Sequence, residues 1–338
     1  MSCSPVRSRG SVVTLRVIAV VAVLFLQGCG LVPASAPGDR IILGYSAWPG
    51  WFPWRIAEEQ GLFRANGIEV ELRYFANYTD SLAALAAGEI DANSQTLNDT
   101  VASISSGAEQ TVVLVNDNST GNDKIIAREG VQGLADLRGK RVAVEQGTVD
   151  HYLLLLALAE VDLTQADIEL VPLATADAVA AFVEGRVDAV GAFAPFTSAA
   201  LELPGSRAIA TSAEFPGAIP DHLVVRADVV DQRPDAVQAV VDSWFDVLDS
   251  IRSDRAAAIG VMARQAGVDE AQYASYESGT TLFTWQQNLD AFTPGTTSRH
   301  LNYQARQIAS FLVDAGLTRT EPELSGLFDD RFVRAVAR

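Results

Sequence analysis

A strand–helix–strand unit occurs twice in this chain with matching spacing. Val70-Glu71-Leu72, Asp80 through Leu85 and Gly88-Glu89-Ile90-Asp91-Ala92 recur as Ile168-Glu169-Leu170, Asp177 through Phe182 and Gly185-Arg186-Val187-Asp188-Ala189. Asp80, Gly88 and Asp91 fall on Asp177, Gly185 and Asp188 at one fixed offset. In each copy an acid opens a helix, where the macrodipole favours negative charge, and a glycine closes it before the chain turns into a strand. A duplicated unit of this kind predicts two similar α/β lobes, each with its own sheet.

The surrounding sequence fills in the first lobe with the same rhythm. Strands are expected at Ile41 to Ser46, Val70 to Phe75, Ile90 to Ser94 and Thr111 to Val115. Helices are expected from about Phe52 to Gly61, Asp80 to Ala87 and Leu97 to Ser106. Strands and helices alternating in this way argue for largely parallel sheets. Beyond Pro220 the pattern turns helical: Val237, Val240, Val241, Trp244, Leu248 and Ile251 form one apolar face behind Arg233-Pro234, and Ile308, Phe311 and Leu312 mark another helix. A helical C-terminal part packed on the first lobe requires the chain to cross between lobes twice. That arrangement gives lobe I as residues 40–122 plus 220–338, lobe II as residues 123–219, and a hinged cleft between them.

The N-terminus reads as an export signal. Arg7, Arg9 and Arg16 precede the apolar run Val17 to Leu26, which is too short to span a bilayer. Leu26-Gln27-Gly28-Cys29 resembles the lipobox of bacterial lipoproteins, which implies cleavage of residues 1–28 and a lipid on Cys29. Residues 29–39, rich in Pro and small residues, then form a flexible tether. The localisation expected is extracytoplasmic, on the bacterial cell membrane. Cys3 and Cys29 are the only cysteines. The body therefore has no disulfide framework, no thiolate nucleophile and no cysteine zinc site. The net charge of −17 becomes more negative still once the leader arginines are removed, which makes nucleic acid a poor partner.

Candidate ligand residues follow from strand ends, because ligands of open α/β sheets sit beyond the carboxyl ends of the strands. That rule selects Trp48, Pro49, Gly50 and Trp51, then Tyr78, Thr96, Asp117, Asp123, Glu145, Thr148, Phe193 and Glu214. Among the crowded aromatics Trp48 is the preferred ligand platform, since Pro49-Gly50 holds it in a loop. His151, His222 and His300 lack metal-ligand spacing, and neither a metal nor a cofactor is expected. The selected loops contain acids but no Lys or Arg. An aromatic wall with acids opposite suits a cationic or amine-bearing ligand, whereas an anion would depend on helix N-termini and on Ser94, Thr96 and Thr148.

Several segments together carry a family resemblance. They are Tyr45-Ser46-Ala47-Trp48-Pro49-Gly50, Glu58-Glu59-Gln60-Gly61-Leu62-Phe63, Leu82 to Ala92, Leu134-Ala135-Asp136-Leu137-Arg138-Gly139-Lys140-Arg141-Val142-Ala143-Val144 and Phe182 to Val190. In that order, behind a lipobox, they resemble the solute-binding lipoproteins of the nitrate/taurine/sulfonate/thiamine-precursor (NitT/TauT, NMT1-like) ABC importers. The resemblance implies a two-lobed, type II periplasmic-binding-protein-like fold that closes on a small nitrogen- or sulfur-containing molecule. It also implies a monomer that docks on a permease and its ATPase, with a pocket lined by the Trp-Pro-Gly loop and by the loops of Thr96, Asp117, Glu145 and Phe193. Two other readings fit the same segments less well. One is a ligand-sensing lipoprotein feeding a membrane signalling protein. The other is an enzyme similar to the pyrimidine synthases of thiamine synthesis, which is disfavoured because the body lacks cysteine and carries no Gly-x-Ser-x-Gly, Walker or His-Glu-x-x-His motif.

Overall fold

The computed structural model describes Met1 and residues 40–337. Apart from Met1, the leader, together with Cys29 and the whole of the tether, lies outside the described residues. Eleven strands in this region form two sheets. The strands are β1 (Arg40–Tyr45), β2 (Glu69–Tyr74), β3 (Ala92–Thr96), β4 (Gln110–Ser119), β5 (Asp123–Ala127), β6 (Arg141–Val144), β7 (Glu169–Pro172), β8 (Ala189–Phe193), β9 (Arg207–Thr211), β10 (Pro220–Arg226) and β11 (Thr280–Leu282).

The first sheet has the order β11-β4-β10-β3-β1-β2 and the second β7-β6-β8-β5-β9. Both contain the same motif, β2-β1-β3-β10-β4 in one and β7-β6-β8-β5-β9 in the other. β1 pairs in parallel with β2 and β3, and β6 with β7 and β8. The strand inserted fourth runs against its neighbours, β10 against β3 and β4, and β5 against β8 and β9. The reason lies in the path of the chain. β4 delivers the chain to the cleft and β5 starts after three intervening residues, so β5 must enter its sheet from the cleft and run opposite to strands that end there. β10, which returns from the other sheet, is under the same constraint. Thus the carboxyl ends of the parallel strands and the first residues of β5 and β10 all meet at the cleft.

The repeated acids and glycines perform matching work. Asp91 Oδ2 accepts from Ile42 N and Asp188 Oδ2 from Arg141 N, both at 2.9 Å, fixing the start of β1 and β6 against the next strand. Gly88 and Gly185 take positive φ of 75° and 80°, the left-handed turn that stops each helix. An arginine closes each turn, Arg226 donating to Gly88 O and Arg128 to Phe182 O.

The C-terminal helices cover the first lobe. Pro234–Ser253 buries Val237, Val240, Val241 and Trp244 and packs on Trp54–Gln60, while Leu301–Asp314 packs on Leu97–Ser105. Trp54, fully buried, lies 4.6 Å from the Trp244 ring and donates to Ser94 Oγ, so it belongs to the core rather than the cleft. The two crossing segments are tied to each other at the hinge, where Ser212 Oγ meets Ser119 Oγ at 2.7 Å and accepts from Gly121 N at 2.8 Å. Gly121 has φ of 142°, a conformation that a side chain would strain. Among the described residues no helix is long and apolar enough to cross a membrane.

Candidate functional site

Four rings close on one another between the sheets. Trp48 and Trp51 follow β1, Tyr78 opens the helix Tyr78–Ala86, and Phe193 ends β8 in the second sheet. Their centroids are 6.4 Å apart for Trp48–Trp51, 5.4 Å for Trp51–Tyr78, 6.4 Å for Tyr78–Phe193 and 6.3 Å for Phe193–Trp48. These tilted and edge-on spacings are those at which aromatic pairs attract. With Thr96, Asp123, Val149, Ile219 and Asp221 the rings line a cavity of about 10 Å³, roughly the size of one water molecule. An organic ligand enters such a space only when the lobes part or the rings swing. A larger cavity of about 530 Å³ lies beyond β4 and β11, between Phe283, Gln287, Leu301 and Gln304. It lacks the aromatic cage, and none of the buried acids of the cleft lines it.

Acids crowd around the cage. Asp117 ends the cage side of β4, and its Oδ1 accepts from Trp48 Nε1 at 2.9 Å. The β10 register sets Asp221 directly beside Asp117 on one side and Thr96 on the other. Burial lifts the Asp117 carboxyl to about 7 and pushes Asp221 well above the carboxylate range, a direction that the facing charges reinforce for Asp221. Two adjacent carboxyls in this situation share protons at neutral pH. Asp123, the first residue of β5, is raised to about 6 and Asp99 to about 7, again mainly by burial. His222, next to Asp221 in sequence, is buried and pushed down to about 3 by desolvation, so it is neutral and adds no compensating charge.

Two carboxyl groups link the lobes reciprocally. Glu145, which follows β6, accepts through Oε1 from the N–H and hydroxyl of Thr79, at the start of a first-lobe helix. Through Oε2 it accepts from Thr175 N at 3.2 Å and Thr175 Oγ1 at 2.8 Å, at the start of the second-lobe helix Thr175–Val183. Thr175 Oγ1 also lies 2.7 Å from Asp150 Oδ2. Its single proton cannot serve both acids, and Asp150, which burial drives well above the usual range, supplies its own. In the opposite direction Asp99 of the first lobe accepts from Val149 N, at the head of the second-lobe helix Val149–Ala159. Each lobe therefore caps a helix of the other with a carboxyl group.

The residues singled out from sequence fall into three groups. Trp48, Trp51, Tyr78, Thr96, Asp123 and Phe193 line the small cavity. Pro49, Gly50, Asp117, Glu145 and Thr148 support it: Pro49 O accepts from Tyr273 Oη, Gly50 lies flat on Asp117, and Thr148 Oγ1 donates to Glu145 O. A β-carbon on Gly50 would come within 2.5 Å of all three Asp117 carboxyl atoms, so only glycine fits there. Glu214 stands apart, which corrects the strand-end expectation. It is exposed and closes a turn by accepting from Thr211 N, because β9 is the edge strand and its end points to the rim. Asp221, Asp99 and Asp150 escaped the sequence reading. The carboxyl-end rule does not reach Asp221, which lies at the start of a returning strand; its one sequence signal is an acid placed two residues before the apolar run Leu223-Val224-Val225. No group of three or more His, Cys, Asp or Glu able to hold a metal occurs among the described residues.

Comparison with known proteins places this architecture. The family model described as the NMT1-like family matches residues 34–265, more than half of the chain and all of both duplicated units. The chain belongs to the NMT1-like family. It is 26% identical over 287 residues to a Brucella abortus protein named as a binding protein, covering 82% of this chain and 88% of that one. It is 26% identical over 252 residues to the taurine-binding periplasmic protein of Escherichia coli, covering 71% of this chain and 78% of that one. In three dimensions it matches the alkanesulfonate-binding protein of Xanthomonas axonopodis pv. citri bound to MOPS, with a TM-score of 0.74 and 21% identity over 86% of this chain and 98% of the other. That similarity establishes the periplasmic-binding-protein fold.

Proposed function

We propose that this NMT1-like protein is the extracytoplasmic solute receptor of an ABC importer, capturing a small molecule between its lobes and presenting it to a permease and its ATPase. The observation that carries this reading is the aromatic cage, three of whose rings come from one lobe and the fourth from the other, so that occupancy and lobe closure are coupled. The binding-protein relatives support it. The lipobox supports attachment of the receptor to the membrane through Cys29. The body has no cysteine, and the buried hydroxyls of Thr96, Thr148 and Thr175 donate to the Asp99 carboxyl, Glu145 O and the Glu145 carboxyl. These features support a receptor that binds its ligand unchanged.

A thermal-shift screen of small molecules tests this reading. At 100 times Kd a ligand adds about 2.7 kcal/mol of stability, and the gain should disappear in Trp48→Ala and in Phe193→Ala. Stabilisation that survives both substitutions would place the ligand elsewhere and remove the interlobe receptor reading.

A further inference from the structure

We propose that the ligand taken by this cleft is an organic cation, an alkylammonium or a protonated nitrogen heterocycle, held by the aromatic cage and by Asp221 and Asp123. This deepens the receptor reading and rests on it. Two carboxyl groups at the cavity have oxygens that no N–H or hydroxyl reaches, and the one partner of Asp221 is the facing Asp117 carboxyl, with which it shares a proton. Asp221 is 1% exposed and lines the cavity, yet neither of its carboxyl oxygens receives a hydrogen bond from any N–H or hydroxyl of the protein. Asp123, 2% exposed, lines the same cavity with Oδ2 equally unmet. Buried carboxyl oxygens are costly to leave without donors, and the two acids come from different lobes, one at the head of β10 and one at the head of β5. A ligand bearing N–H donors and positive charge satisfies both and draws the lobes together. The four rings supply the rest, since aromatic faces attract a cation within about 6 Å.

The same structure has occupied the helix heads and hydroxyls where an anion would rest, leaving the Trp51 indole N–H as the one unpaired donor among the cavity-lining side chains described. The heads of the helices Tyr78–Ala86 and Thr175–Val183 are both occupied by the Glu145 carboxyl group. The head of Val149–Ala159 donates to Asp99. Thr96 Oγ1 donates to Asp99, Thr148 Oγ1 to Glu145 O, and Ser94 Oγ receives the Trp54 indole on the core side. Lys124, which attracts the Asp123 carboxyl, donates its ammonium to Gly121 O. An anion in this cavity would face Asp117, Asp123 and Asp221, of which Asp123 alone is offset by a cation, Lys124.

Proton linkage gives a second readout. The groups facing the Asp117–Asp221 pair are Asp99 and Asp123, with Tyr78 and Tyr273 and no basic residue among them. A bound cation takes the place of the proton that the pair holds, so binding releases a proton and strengthens as pH rises toward 8.

Calorimetry in buffers of different ionisation enthalpy tests the proposal, with benzylamine, tetramethylammonium and aminopyridine as cations and nitrate and ethanesulfonate as anions. The expected result is binding of at least one cation with proton release, weakened about ten- to hundredfold in Asp221→Asn. Asp221→Asn keeps the side chain's shape, and a normal melting curve confirms that it folds; Asp123→Asn serves as the second variant. Binding of nitrate or ethanesulfonate, unaffected by Asp221→Asn and lost in Trp48→Ala, would overturn the cationic assignment and leave the receptor reading standing. Binding of none of the cations would overturn the assignment as well. Binding of any probe that survives both Trp48→Ala and Phe193→Ala would instead count against the receptor reading.

Discussion

Glu145→Gln isolates the contact that joins the lobes. Glu145 accepts four hydrogen bonds, two from Thr79 in the first lobe and two from Thr175 in the second. A hydrogen bond to a charged acceptor contributes about 1.5–3 kcal/mol and a neutral one about 0.5–1.5. Glutamine fills the same volume but keeps one acceptor oxygen, so one threonine keeps neutral bonds and the other faces an amide NH₂. The latch loses at least about 3 kcal/mol, which is about a hundredfold or larger rise in the fraction of molecules with that contact broken. Native-state hydrogen exchange reads this directly, because the Thr79 and Thr175 amides are themselves the donors. Their exchange should accelerate by at least that factor while Val113 and Leu114, in the middle of β4, keep their wild-type protection. If both threonine amides exchange as slowly in Glu145→Gln as in the wild type, Glu145 does not hold the lobes together and the reciprocal-latch account is wrong.

Other expectations follow from the same geometry. Gly50→Ala should lower the melting temperature, because its Cβ would overlap the Asp117 carboxyl and overpacking of this kind costs about 1–3 kcal/mol; a melting curve matching wild type would show that the loop shifts freely. Trp48→Phe removes the donor to Asp117 and should raise that carboxyl further, visible as a higher midpoint in NMR titration of labelled aspartate. Stability should decline as pH rises from about 4 to 7. Asp99, Asp117 and Asp123 have folded-state pKa values of about 7, 7 and 6, above the ordinary aspartate value of 3.8, so the native state binds more protons than the unfolded chain in that range. Asp117→Asn should flatten that decline, and an unchanged slope would show that the pair does not titrate as described.

How much of this was legible in the sequence depends on whether a residue acts within its own unit. Asp91 and Asp188, Gly88 and Gly185 could be read from spacing alone, because each stabilises a turn made by its immediate neighbours in the chain. The helix Pro234–Ser253 was equally legible, since proline at its first turn and one apolar face define it. The cleft was legible only in part. The strand-end rule found Trp48, Tyr78, Thr96 and Phe193, which follow or close parallel strands, but it carried Glu214 into the list from an edge strand. It passed over Asp221 because β10 presents its beginning to the cleft. Glu145 could be picked out as an acid at the end of a buried strand, yet its partners Thr79 and Thr175 lie far away in sequence and no local pattern joins them.

The central claim is that one small molecule is held by both lobes within the aromatic cage, and a crystal structure with the tightest-binding compound from the thermal-shift screen tests it most directly. The account predicts the molecule among Trp48, Trp51, Tyr78 and Phe193, touching Asp221 from the first lobe and Asp123 from the second. A molecule seated instead in the larger cavity beside Phe283 and Gln304, with the cage closed as it is here, would contradict it.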